Sequence, residues 1–174
     1  IITNFYENNL REKEHSLRVS KLCLQLGQAL GLPKDEIHKL ERAGYLHDIG
    51  KIVLEPEMLS ATSFPDSYKE YELRKHVVAG YRVLNSFEDT VDLAEIVLAH
   101  HEHWDGSGYP RNLKGEEIPL PARIIRIAGS LERLLYDDQG QKAMSKEEAV
   151  KHISAYAGTQ FDPQLVKLLA KTAI

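Results

Sequence analysis

Residues 10–31 read LREKEHSLRVSKLCLQLGQALG. The apolar side chains Leu17, Val19, Leu22, Cys23, Leu26 and Leu30 recur there at helical spacing, and Gly31 stands where a helix C-terminus favours a left-handed residue. The stretch predicts an amphipathic helix, and the same pattern recurs on both sides of it. Pro33 suits the first turn of a helix over 33–47, with Ile37, Leu40, Ala43, Gly44 and Leu46 on one face. Residues 66–84, charged at first and apolar later (Val77, Val78, Val83 and Leu84), and 91–101 (Leu93, Ile96 and Val97 inward) predict two more. An apolar helix over 122–135 follows Pro119-Leu120-Pro121. Ser145-Lys146-Glu147-Glu148 is a capping box, and Asp162-Pro163 opens the last helix. Few segments alternate with period two, so the predicted fold is all-α. One long irregular stretch, 104–117, carries Gly106, Gly108, Pro110 and Gly115; a loop of that length in a compact domain is usually functional.

The chain has 174 residues and a formal net charge of −4, with 43% hydrophobic residues. That length suits one domain over 1–174 with a proper core, and the composition excludes wholesale disorder. Mild acidity argues against a DNA- or RNA-binding protein, which normally shows a basic face. No apolar run approaches the roughly 18 residues of a membrane span, and no signal peptide opens the chain. The single cysteine, Cys23, lies among apolar neighbours and reads as buried packing. A cytoplasmic domain is the expectation. Because the chain opens on Ile1, residues 1–14 read as a linker helix entering from an upstream sensor or receiver domain of a longer signalling protein. A homodimer pairing through that helix is a further expectation.

Eight histidines are the compositional oddity. His15, His47 with Asp48, His76, and His100 with His101 fall late in helices or at their ends, spaced about 25–30 residues apart, so that each helix supplies one ligand position to a bundle interior. Imidazole and carboxylate suit Mn, Fe, Zn or Co, and no thiolate set draws the site toward a soft structural metal. Any one of these histidines is more often structural than ligating; as a set they predict a metal centre. His38 and His152 lie beside charged residues and read as surface side chains.

These residues resemble, in order, the HD superfamily of metal-dependent phosphohydrolases, and within it the HD-GYP domain. The matching pieces are His15; His47-Asp48-Ile49-Gly50-Lys51; His76 with Gly80; and the run from His100 to Pro110, which contains Gly108-Tyr109-Pro110. Ile118-Pro119-Leu120-Pro121-Ala122-Arg123-Ile124-Ile125 and the tail Gly158-Thr159-Gln160-Phe161-Asp162-Pro163 follow. The resemblance implies a helical bundle with a long Gly-rich loop, two divalent transition metals (Fe or Mn favoured, with Zn, Co and Ni accommodated) and hydrolysis of cyclic di-GMP by a metal-bridging hydroxide. Carried over by position, it implies that Asp48 bridges the metals, with His15 and His47 on the first and His76, His100 and His101 on the second. Lys51 would ground the phosphate, making Asp48 and Lys51 the catalytic pair. Gly108, Tyr109 and Pro110 would shape the substrate side.

Three departures from the family pattern stand out. Gly129 occupies the place of an aspartate that completes the first metal's ligands. Asp138-Gln139-Gly140-Gln141 stands where an Arg-Pro-Tyr-Arg stretch would hold substrate. Arg11 stands where members with a third metal have a glutamate. Glu132, three residues after Gly129 on nearly the same helical face, is a candidate compensating ligand; the opposing expectation is that it faces solvent. Glu102 is expected to support a ligating histidine. His103 is either a substrate contact or part of a solvated loop, and Glu116-Glu117 reads as solvated. Trp104 is expected to anchor the loop by packing, and Arg123 and Arg126 to be solvated. The rival functional reading is a catalytically impaired HD-GYP domain acting as a nucleotide-binding or protein-interaction module in bacterial signalling; a weaker one is a phosphohydrolase of another nucleotide.

Overall fold

The computed structural model describes residues 2–54, 66–136 and 142–172, with the side chains of residue 2 and of 66–69 left aside. Among these residues the protein is a bundle of eight α-helices without a strand: α1 (Ile2–Asn8), α2 (Leu10–Ala29), α3 (Lys34–Leu46), α4 (Asp66–Asn85), α5 (Val91–Ala99), α6 (Leu120–Leu135), α7 (Lys146–Ser154) and α8 (Pro163–Leu169). Two 3₁₀ turns, Ile49–Val53 and Gly115–Glu117, interrupt the connections. No described helix is long and apolar enough to cross a membrane.

The helix signals act where the sequence places them. Gly31 takes φ 69° after α2. Ser145 accepts from Glu148 N and Glu148 answers to the Ser145 backbone, closing the capping box of α7. The Asp162 side chain caps α8 through Gln164 N. The core is a single cluster in which Val19, Leu26, Leu40, Val97, Ile124, Ile127, Leu131 and Ile153 are almost fully buried. Cys23 is buried where α2 crosses α3, in close contact with Gly44. Leu17, expected inward, is 42% exposed; it lies next to His15 and Ser16, and the face of α2 that turns inward carries those two polar residues instead.

The N-terminal segment differs from one continuous linker helix. Asn9, at φ −134° and ψ 70°, breaks it into α1 and α2. Phe5 and Tyr6 are buried in the domain's own core, and the Tyr6 hydroxyl donates to the Tyr45 carbonyl at 2.6 Å.

The fold's decisive close approach lies between the turn Ile49–Val53 and α4. A β-carbon on Gly50 would stand 1.8 Å from the His76 carbonyl oxygen and 2.4 Å from Gly80 N. Only a residue without a side chain lets the two backbones meet there. That contact sets Asp48, at the start of the turn, against His76.

Candidate metal centre

Five histidines, two within α2 and α4 and three at the C-terminal ends of α3 and α5, converge on one carboxylate. Asp48 is 1% exposed, and its two oxygens divide the rings between them. Oδ2 faces the Nε2 atoms of His47 at 3.3 Å and His15 at 3.6 Å. Oδ1 faces those of His76 at 3.2 Å and His100 at 3.7 Å. The nitrogens themselves stand close, 3.3 Å between His15 and His47 and 3.4 Å between His76 and His100. His101 completes the second group, its ring 4.2 Å from that of His100.

The other ring nitrogens are held by acceptors. His47 Nδ1 meets the Gly44 carbonyl at 2.8 Å, His100 Nδ1 the Val97 carbonyl at 2.6 Å, and His76 Nδ1 the Leu73 carbonyl. A carbonyl only accepts, so each Nδ1 carries a proton, and each Nε2 is the nitrogen turned toward Asp48. His15 is fixed the same way by a carboxylate, Glu132 Oε2, at 2.5 Å. Four ring nitrogens thus point at a carboxylate neither of whose oxygens accepts a well-directed hydrogen bond among the described residues. A buried carboxylate short of well-directed hydrogen bonds is costly unless cations meet it. Two nitrogens about 2.1 Å from one divalent ion stand about 3.0–3.4 Å apart, so the donor set and its spacing fit two cations sharing Asp48.

Burial alone would raise the Asp48 pKa; His47 and Lys51 beside it outweigh burial and hold the carboxyl well below its usual range. Burial pulls His100 down to about 3 and lowers His15 and His101 as well, so these rings stay neutral, the state a ligand requires. Lys51 lies inside the centre: its ammonium sits 2.8 Å from Asp48 Oδ2 and 2.8 Å from Glu12 Oε2. Burial opposes its charge, and Asp48 and Glu12 more than restore it.

Several expectations need correcting. Glu132 does not face solvent; it is 3% exposed, and its oxygens hold His15 Nδ1 and, at 2.6 Å, Arg18 Nε. Its carboxylate therefore meets His15 on the nitrogen turned away from Asp48. Glu102 supports no histidine; it accepts the backbone N–H groups of Arg111 and Leu113 at 2.7 and 3.0 Å and ties down the loop. Arg123 and Arg126 are not solvated. Arg123 pairs with Asp162 at 2.7 Å, and Arg126 donates to His103 Nε2 at 3.0 Å and Gln160 Oε1 at 2.8 Å. His103 is thereby part of a network, its Nδ1 3.0 Å from Ser107 Oγ. Sequence signals for the Glu132, Arg123 and Arg126 partners were absent, because those bonds join residues more than twenty positions apart.

The loop closes one side of the centre. Gly108 lies so close to the chain at Glu102–His103 that a β-carbon would be 2.2 Å from His103 N. This approach turns Tyr109 onto His101, ring on ring at 4.9 Å and 13°. Pro110 follows it, exposed, through a cis peptide. Trp104 is half-buried, with the Arg123 guanidinium 5.6 Å from its ring. At Gly129 a β-carbon would meet no atom within 4 Å, so the position opens onto space. Arg11 is exposed, and positions 138–141 lie outside the described residues.

A buried histidine–aspartate cluster with the spacing to hold metal ions is thus assembled inside an all-α bundle. The chain belongs to the HD-domain family, whose model matches residues 5–165, and within it to the HD-GYP type. It is 34% identical over 171 residues to the 3′3′-cGAMP-specific phosphodiesterase 2 of Vibrio cholerae serotype O1, covering 97% of this chain and 33% of that protein. It is 32% identical over 166 residues to a cyclic di-GMP phosphodiesterase of Thermotoga maritima, covering 94% of this chain and 45% of that one. The chain thus spans less than half the length of these curated relatives. Among solved structures, a cyclic GMP-AMP-specific phosphodiesterase of V. cholerae superposes with a TM-score of 0.71 at 25% identity, over 91% of this chain and 43% of that one. The HD domain of the phosphodiesterase PgpH of L. monocytogenes, in complex with cyclic-di-AMP, shares the fold with a TM-score of 0.69 at 14% identity, over 98% of this chain and 92% of that one.

Proposed function

We propose that this domain hydrolyses a phosphodiester bond of a cyclic dinucleotide, with cyclic di-GMP as substrate. The observation that carries the reading is the division of labour at Asp48: one oxygen faces the His15–His47 pair and the other the His76–His100 pair, deep in the bundle. His15, His47 and Asp48 would hold one divalent cation, and Asp48, His76, His100 and His101 a second. Divalent cations in such a pair supply Lewis acidity toward the phosphate and a water acidified to near neutral pH; Fe or Mn suits the hard and intermediate donors here.

The chain's own residues supply the rest. Tyr109, stacked on His101, offers a ring beside the centre against which a nucleobase or ribose can lie. Gly108 lets it come that near, and Pro110 continues the loop outward. Lys51 keeps a positive charge between Asp48 and Glu12, next to where the phosphate must approach. The 3′3′-cGAMP and cyclic di-GMP activities in the relatives' names support a guanine-containing cyclic dinucleotide.

The deciding experiment measures metal per chain on anaerobically purified protein, with cyclic di-GMP turnover in the same sample. Two metals with turnover, both lost in Asp48→Asn, is the expected result. Metal-loaded protein that binds cyclic di-GMP without cleaving it would overturn the enzyme reading in favour of a binding module, for which Gly129 is the specific observation.

A further inference from the structure

Helix α6 reaches the candidate metal centre through Glu132 on His15, and it also carries two arginines. Arg126 and Arg133 are seven residues apart, two turns along one face, with Gly129 between them. Arg126 has an uncommon electrostatic setting, and Arg133 is an exposed cation on the same face. The other arginines near the centre have carboxylate partners: Arg18 has Glu132, Arg74 has Glu70 and Arg123 has Asp162. Among the described residues, neither Arg126 nor Arg133 makes an ion pair. Arg126 is mostly buried, its hydrogen-bond partners His103 and Gln160 are both neutral, and its Nε is buried with no acceptor.

A largely buried guanidinium without a counter-ion is costly unless an anion arrives to pair with it. Gly129 leaves space at that spot, since a β-carbon there would touch nothing within 4 Å. An acidic residue at 129 would stand one turn from both arginines and neutralise them. The residue that deprives the first metal group of a carboxylate therefore also leaves two cations facing an opening. That opening adjoins the substrate side. Arg126 holds His103, two residues beyond His101, and Tyr109 is stacked on His101 with the Arg74 guanidinium 4.8 Å from its ring.

We propose that Arg126 and Arg133, on either side of Gly129, form an anion slot beside the metal centre that binds the phosphate of the cyclic dinucleotide that is not being cleaved. The inference rests on the phosphodiesterase reading for the identity of the ligand, while the slot itself follows from unpaired charge and open space. Guanidinium groups match phosphate oxygens in paired hydrogen bonds, so the ligand class is a phosphodiester or phosphate. The charges reach the substrate wall as well. Burial pushes Arg126 down to about 10, with Arg133 adding to the effect. Burial lifts Tyr109 to about 12, against the pull of Arg126, Arg74 and Arg133.

The test is steady-state cleavage of cyclic di-GMP by the metal-loaded protein, its Arg126→Gln and Arg133→Gln variants and the double variant, at low and moderate salt, with metal content measured throughout. Each single variant is expected to raise KM about tenfold, the size of one lost charge-assisted hydrogen bond, with kcat and metals per chain within about twofold of the parent. The double variant is expected to show a flatter salt dependence of KM, because two phosphate-directed charges are gone. An unchanged KM in both single variants, or a fall in kcat that follows metal loss, overturns the slot. If the parent protein cleaves no cyclic dinucleotide, the phosphodiesterase reading fails separately. Calorimetry with inorganic phosphate on the chelated protein then decides: binding weakened in both variants keeps the slot as a phosphate site, and binding equal to the parent overturns it.

Discussion

Glu132 is the residue whose role depends most on direction. It approaches His15 at Nδ1, so it fixes which nitrogen carries the proton and aims Nε2 at Asp48. Arg18 on its other oxygen keeps the carboxylate ionised against burial, and its pKa is correspondingly lowered by His15 and Arg18. Partners of this kind are typically worth about 10–100-fold in metal affinity. Glu132→Ala is therefore expected to weaken binding at the His15–His47 group by that factor and leave the other group intact. Competition against a chelator of known affinity, read as two separate release steps, checks it; simultaneous loss of both metals would point to general unfolding instead. Gly129→Asp is expected to act in the opposite sense on that group, since the open space accepts a carboxylate without a clash. Metal retained through dialysis should rise, and unchanged retention would show that position 129 does not reach the centre.

At the scale of elements, the centre depends on how closely the turn Ile49–Val53 lies on α4. Gly50→Ala would drive a methyl group into the His76 carbonyl. Neither backbone can yield without moving Asp48 or His76, so the expected cost is about 3 kcal/mol, at the upper end for overpacking. Thermal melting should show it, at roughly 2–4 °C per kcal/mol for a domain of this size. The same variant should lose metal, because the displaced turn carries the shared carboxylate. A Gly50→Ala protein of parental stability and metal content would show that the approach is looser than described. The loop after α5 depends on the opposite device, a buried carboxylate. Glu102 satisfies two loop N–H groups and so presents Tyr109 to His101.

The whole molecule registers the centre through acid stability. His15, His100 and His101 are held neutral chiefly by burial, His100 at about 3. In the unfolded chain a histidine titrates near 6.5. Below that pH the unfolded state binds protons that the folded state refuses, so stability rises with pH and falls as acid is added. For metal-free protein the expected loss begins near pH 6.5 and continues toward pH 3. Its slope approaches about 1.4 kcal/mol per pH unit for each histidine that titrates only when unfolded. Urea denaturation at pH 7.5, 6 and 5 measures it, and a flat profile would mean the rings are protonated in the folded state. Bound metal adds stability by mass action, about 2.7 kcal/mol at a hundred times its Kd, and strengthens the same trend because protons compete for the ligands.

Local sequence determined much of this protein. Helical periodicity, the capping box at Ser145 and the proline starts fixed the all-α class and nearly every helix boundary, because those forces act within a few residues. Ordered histidines at helix ends, with Asp48 beside His47, mark in the sequence the residues that the fold gathers around Asp48. The tertiary structure alone decided which way side chains met across the bundle. Glu132 finds His15 across 117 positions. Lys51 finds Glu12 across 39, and Arg126 finds Gln160 across 34. The break at Asn9, the inward burial of Tyr6 and the unpaired charge on Arg126 likewise have no local signature. They result from packing helices whose order the sequence gives but whose facing surfaces are set only when the core closes, and buried polar groups then take whichever partner or vacancy that closure leaves them.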